Sequence, residues 1–174
     1  MGLSLLNVTM VIGIGFSIAG SALVGQYLGA GDQTNAINCG YRTMRLTMFY
    51  MTLCGTQVIY FARPLAELLG DDPEVIRLSV VFITILGLAQ PLLAIDFALG
   101  GALRGAGDTR FPLLSTFCGF VGVRLVLAYL FTSLGLSVEW VFAALIGDYT
   151  VKASLLFWRF RSLRWLHNLT TPKS

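Results

Sequence analysis

Four ionisable side chains, Asp96, Arg124, Asp148 and Lys152, stand inside stretches that are otherwise apolar. An unpaired charge at the centre of a lipid-embedded helix costs about 2.5 kcal/mol or more, so such groups face a protein interior or a water-filled cavity. Two kinds of chemistry suit them. Opposite charges on adjacent helices can neutralise one another and clamp those helices; alternatively, one acid is left without a counter-charge and can take up and release H+ or Na+. Arg124, Asp148 and Lys152 suit the first reading, with Lys152 four residues after Asp148 and the acid on the favourable N-terminal side. Asp96 suits the second and is the ion- or proton-binding candidate, because no basic residue lies near it on its own helix.

The elements that position these groups follow from composition. The chain has 174 residues, 56% of them hydrophobic and only 12% charged, where a soluble domain has about 25% charged residues. This is the composition of a polytopic all-α membrane protein, a helical bundle embedded in a lipid bilayer. A bilayer core of about 30 Å takes roughly 20 apolar helical residues, and five stretches qualify: 3–28, 43–62, 75–103, 112–132 and 138–160. Counted at about 1.5 Å per residue, Arg124 and Asp148 fall near the centres of their spans, with Asp96 roughly 9 Å from the middle of its own. The linkers, 29–42, 62–74, 104–110 and 132–137, hold nearly all the charge.

Charge placement predicts orientation. Arg42, Arg45, Arg104, Arg110, Arg159, Arg161, Arg164 and Lys173 share one face, while Arg63 and Arg77 lie on the other with Glu67, Asp71, Asp72, Glu74 and Glu139. The positive-inside rule therefore places the N-terminus outside and the C-terminus in the cytoplasm of a plasma (inner) membrane. The N-terminal run has no basic start and is too long for a cleavable signal core.

Small residues recur every fourth position on the first span, at Gly13, Ser17, Ser21, Gly25 and Gly29. That spacing collects them on one helical face, where another helix can approach closely. A tetrapeptide, Gly-Ala-Gly-Asp, occurs at 29–32 and again at 105–108, after the first and third spans. Each copy reads as a glycine helix stop followed by an Asp that caps the next helix. On the third span Pro91 lacks an N–H, so the carbonyl of Gly87 loses its usual partner. A helix break with an adjoining cavity is predicted there, with Gln90 placed to satisfy part of the loss.

Other motifs are weak. Cys39, Cys54 and Cys118 are isolated and His167 is the only histidine, so no metal site, disulfide or catalytic centre is expected. The tail Trp158, Arg159, Arg161, Arg164 and Trp165 reads as an interface anchor rather than a nucleic-acid patch. No cofactor is expected beyond H+ or Na+ as a coupling ion.

Several segments together resemble the multidrug and toxic compound extrusion (MATE) transporters. They are Val24-Gly25-Gln26-Tyr27-Leu28-Gly29-Ala30-Gly31, Ala102 to Arg110, Val123-Arg124-Leu125-Val126-Leu127-Ala128-Tyr129-Leu130, and Trp158-Arg159-Phe160-Arg161-Ser162 with Trp165. They occur in family order over roughly residues 15 to 165. The resemblance implies two six-helix lobes facing each other across a cavity, and export of organic, often cationic, compounds by H+ or Na+ antiport. It implies that residues 1–174 form a single partial domain, a C-terminal lobe lacking its first helix. Its partners would be a small organic substrate and an N-terminal lobe, in cis or from another chain. Two alternatives are a lipid-linked oligosaccharide flippase of the same superfamily and a non-transporting membrane remnant.

Overall fold

The computed structural model describes residues 2–67, 72–134 and 138–166, with side chains from 9 in the first helix and from 144 in the last. Asp71, Glu139, His167 and Lys173 lie outside that description. The described chain is helical throughout: α1 (Gly2–Gly29), α2 (Gln33–Tyr60), α3 (Ala62–Glu67), α4 (Pro73–Gly105), α5 (Arg110–Phe117), α6 (Val126–Ser133) and α7 (Val138–Arg161). Between α5 and α6 the helix continues as a π-helical segment, Cys118–Leu125, so residues 110–133 form one rod. Thr9–Gly29, Pro73–Gly105 and Arg110–Ser133 are each long and apolar enough to cross a membrane. With α2 and α7 they make a helical membrane bundle of five rods; the stretches expected to span over 43–62 and 138–160 are helical but, among the described residues, are not of that length and apolarity.

Two boundaries differ from expectation. α2 starts at Gln33, so the linker predicted over 29–42 shrinks to Ala30–Asp32. Hydropathy marks contact with lipid, not helicity, and the first turns of α2 are polar yet well started. Asp32 caps them by accepting from the Asn35 backbone N–H at 3.0 Å and from the Asn35 side-chain amide at 2.6 Å. These bonds, the backbone one first, hold the Asp32 carboxyl below the usual carboxylate range. The cap is therefore present above the ordinary carboxylate pKa and is lost as pH falls through the lowered one. The linker predicted over 62–74 contains the short α3, whose Ala62, Leu65 and Ala66 pack with Val58 and Ile83 in a small apolar cluster. Asp72 then opens α4, accepting from the Glu74 N–H at 2.9 Å, with Pro73 at the first helical position, where its missing N–H costs nothing.

The two Gly-Ala-Gly-Asp copies fold identically. Ala30, Gly31 and Asp32 donate to the carbonyls of Gln26, Leu28 and Tyr27 at 3.0, 3.0 and 2.9 Å; Ala106, Gly107 and Asp108 donate to Ala102, Arg104 and Leu103 at the same three distances. This is the Schellman helix stop, and it requires a left-handed residue. Gly31 and Gly107 supply it, at φ +76° and +80°. Alanine at either position is expected to lower stability by about 1 kcal/mol, measurable as a shift in thermal unfolding of the detergent-solubilised chain.

α4 is the central rod, packing against α1, α2, α3 and α7. Its crossing with α1 is close because both surfaces are small. Gly101 leaves no room for a Cβ against the backbone of Ser17, nor Gly105 against Ser21; Gly25 faces the Gly105 carbonyl and Gly13 the ring of Phe97. Gly29, the fifth residue of the predicted stripe, has nothing within 4 Å, because it follows the last contact with α4. On the other side Gly55 of α2 meets Gly87 of α4 with the same economy. At the end carrying both Gly-Ala-Gly-Asp turns, α1, α2, α4 and α7 enclose a core of Val24, Ala36, Leu99, Ala102, Leu103, Ala106, Leu156, Phe160 and Trp165.

α4 runs unbroken through Pro91, which corrects the predicted helix break. The interruption is confined to one hydrogen bond. Gln90 makes no hydrogen bond to the freed Gly87 carbonyl, which lies instead against Gly55 of α2. A neighbouring helix at glycine distance supports the chain through the proline.

Candidate functional site

The site is built where α4 and α7 run side by side in the same direction. Leu156 reaches Gly100, and Arg159 reaches Asp108 beyond the end of α4. One turn back from Gly100 is Asp96, and one turn back from Leu156 is Lys152. Helical geometry therefore sets acid against ammonium on the facing surfaces. Asp96 lies within the fields of Lys152, Asp148 and Arg104, and Tyr149 lies within those of Arg124, Asp148 and Asp96. Three of the four ionisable residues singled out in the sequence, Asp96, Asp148 and Lys152, thus act on one another, and Arg124 acts on the neighbouring Tyr149.

Their pairing follows the four-residue spacing for Asp148 and Lys152 but leaves Arg124 out. Lys152 pairs within its own helix, its Nζ 2.9 Å from Asp148 Oδ1 and donating to Oδ2 at 3.1 Å. Asp148 is fully buried and Lys152 nearly so. Arg124 does not join them: its guanidinium lies 5.6 Å from the ring centroid of Phe120 on its own rod. The predicted three-residue clamp between adjacent helices is therefore an intrahelical pair with a separate cation–π contact. The i,i+4 geometry lets Lys152 reach Asp148 without crossing a helix interface, and the π-helical segment places Arg124 on the face of Phe120. Asp96 is half-buried and, among the described residues, makes no hydrogen bond and no ion pair.

The π-helical segment is the feature that sequence reasoning missed. Gly119, on its first turn, is pressed against the pair: a Cβ there would meet Asp148 Oδ1 and the Cε and Cγ of Lys152. Asp148 Oδ1 has the ammonium as its partner, at 2.9 Å. π-Helical turns often mark functional positions, and no apolar periodicity signals one in advance. Gln90 is buried with its Oε1 unpartnered.

Two further contacts correct expected roles. Arg104, grouped in the sequence with the arginines of the expected cytoplasmic face, donates to Ser17 Oγ on α1 at 2.8 Å. It lines a cavity of about 420 Å³ with Ile14, Ser17, Ser21 and Phe97 between α1 and α4. Asp108, read only as a cap, accepts from the Phe111 N–H at 3.4 Å but also binds Arg159, whose Nη2 and Nε lie 2.7 and 2.8 Å from its Oδ2. Arg159 also stands 5.1 Å from the ring centroid of Phe111. The tail does not act wholly as an interface anchor either. Leu163 takes a left-handed φ of 55°, which returns Trp165 to the core. There it stacks on Phe160 at 5.2 Å and donates to the Phe160 carbonyl at 2.9 Å. Trp158 alone keeps the exposed position predicted for the aromatic pair.

Residues 1–130 match the MatE family. A relative named probable multidrug resistance protein NorM, from Thermotoga maritima, is 30% identical over 168 residues, covering 95% of this chain and 36% of that protein. The uncharacterized transporter YisQ of Bacillus subtilis is 26% identical and is likewise covered over 36% of its length, against 92% of this chain. Among solved structures, a MATE protein in complex with MaD5 superimposes with a TM-score of 0.77 at 19% identity, covering 90% of this chain and 37% of that one. An inward-facing MATE family transporter gives 0.73 at 20% identity, with 87% and 34% covered. The chain spans about a third of the length of the relatives it matches. With five rods, two matched Schellman turns and a charge cluster between α4 and α7, the chain belongs to the MatE family, as a helical membrane bundle built like part of a MATE transporter.

Proposed function

We propose that this chain forms part of a secondary active transporter that exports organic, often cationic, compounds in exchange for H+ or Na+, with Asp96 as the carboxylate that carries the ion. The observation that supports this is the contrast between two acids that act on one another: Asp148 is committed to Lys152, whereas Asp96 is half-buried without an ion pair. Such an acid, close to charged groups but held by none, can exchange its cation as the protein changes conformation. In this reading the bundle is one lobe without its first helix, and it works with a second lobe, in cis or from another chain, across a shared cavity. The end carrying Arg42, Arg45, Arg104, Arg110, Arg159, Arg161 and Arg164 faces the cytoplasm of a plasma (inner) membrane.

The test is efflux of a fluorescent cationic dye from cells expressing the two-lobed transporter. Asp96→Asn is expected to reduce gradient-driven efflux to the level of cells without the transporter, while membrane expression is retained. Efflux that persists unchanged in that variant removes Asp96 from the mechanism.

A further inference from the structure

Lys152 lies in the field of two acids but forms an ion pair with only one. It is nearly buried, its ammonium is 2.9 Å from Asp148 Oδ1, and its stem is held by the backbone of Gly119 on the π-helical turn. The packing of Gly100 against Leu156 fixes the register of the parallel α4 and α7, and one turn further that register sets Asp96 against Lys152. A lysine carries a point charge on a flexible four-carbon stem, so a small rotation of its terminal bonds redistributes it between neighbouring carboxylates. Its ammonium already straddles both oxygens of Asp148, at 2.9 and 3.1 Å, so the charge is held as a forked contact rather than along one bond.

Resting on the reading of Asp96 as the ion-carrying acid, we propose that Lys152 is a positioning residue, a tethered counter-cation shared between Asp96 and Asp148. When Asp96 holds H+ or a substrate cation, Lys152 belongs to Asp148 alone. When Asp96 gives up that cation, the ammonium moves toward it and the buried site stays neutral. Asp148 thereby acts at a distance: it sets how strongly Lys152 competes with incoming cations for Asp96. The other charged or titratable groups facing Asp96 are Arg104 on its own helix and Tyr149 on α7, with Arg124 acting on Tyr149 from the π-helical segment. None of the three makes an ion pair with Asp96. Gly119 is the packing device that keeps Lys152 extended along Asp148, since any side chain there would displace the pair.

The experiment reads the protonation of Asp96 in the full chain, reconstituted in lipid vesicles, without asking for transport. A hydrophobic carbodiimide modifies protonated carboxyls, and mass spectrometry of the Asp96 peptide across a pH series gives a midpoint. Lys152→Met should move that midpoint to higher pH by about one unit, because a nearby opposite charge has been removed. Asp148→Asn should move it to lower pH, because the ammonium is now wholly available to Asp96. Lys152→Arg should leave it near the native value. The double variant Asp148→Asn/Lys152→Met removes the pair without leaving a lone buried charge, so it remains testable where a single variant fails to insert; it should follow Lys152→Met upward. Midpoints that do not move, or that move in the same direction in the two single variants, overturn the proposal. These outcomes are independent of dye efflux, so loss of the antiport reading and loss of this one are separately visible.

Discussion

Leucine at Gly101 is expected to abolish the crossing of α1 and α4, lowering the stability of the detergent-solubilised chain by about 3 kcal/mol or preventing its accumulation in the membrane. The reason is the nature of the obstacle. A Cβ at Gly101 would fall on the backbone carbonyl of Ser17, and one at Gly105 on that of Ser21. A flexible side chain can rotate away from an added methyl group, but a helical carbonyl cannot. The two helices would have to separate, and α4 would lose the partner that also anchors Arg104 through Ser17. Gly15 and Gly29 are the internal controls, since neither has an atom within 4 Å of the added Cβ. Alanine at either should leave the melting temperature within about 2 °C of the parent, and a comparable fall in those controls would show that helix crossing is not what the glycines supply. Among membrane helices, which gain little from mutual apolar burial because lipid is equally apolar, close approach of small residues is a main source of association.

The second large effect is expected from the ion pair that ties the Gly-Ala-Gly-Asp turn of α4 to α7. Asp108→Ala removes the acceptor for both Nη2 and Nε of Arg159, in a place where Asp108 is 5% and Arg159 17% exposed. Breaking a buried pair from one side costs about 3–5 kcal/mol, because the remaining charge keeps its desolvation without its partner. Arg159 retains the Phe111 ring, which offsets only part of this. The companion variant Arg159→Met strands Asp108 instead, while Asp108→Ala/Arg159→Met strands neither charge and should recover a large share of the stability. Thermal unfolding of the three variants gives the coupling energy directly as a double-mutant cycle. A double variant no better than the worse single one would mean that the two side chains do not act as a pair. Asp32, in the matching turn after α1, is the natural comparison. It makes the same backbone turn but caps Asn35 with no cation, so Asp32→Ala should cost much less.

How the residues divide between these roles shows where sequence reading reaches its end. Three of the five rods were legible because lipid imposes a length and an apolar composition on any helix that crosses it. Helix stops were legible too, since a Schellman turn asks for glycine at one position and both copies announce it. The stripe on α1 was visible as spacing, but its partner was not: Gly101 and Gly105 become meaningful only once α4 is known to lie against Ser17 and Ser21. Asp148 and Lys152 share a helix, and their pairing could be read from four-residue spacing alone.

Contacts between elements distant in the chain needed the tertiary fold. Arg104 meets Ser17 across 87 residues, and Asp108 meets Arg159 across 51. No local pattern distinguishes these arginines from the ones that face solvent. The π-helical segment was equally hidden, because no apolar periodicity sets it apart from the α-helical turns on either side. Composition and periodicity thus determined that this chain is a bundle of membrane helices with acids and bases at depth. Which of those charges are spent on each other, and that Asp96 is left over, was decided by the register of α4 against α7, a property of two surfaces in contact that neither strip of sequence carries by itself.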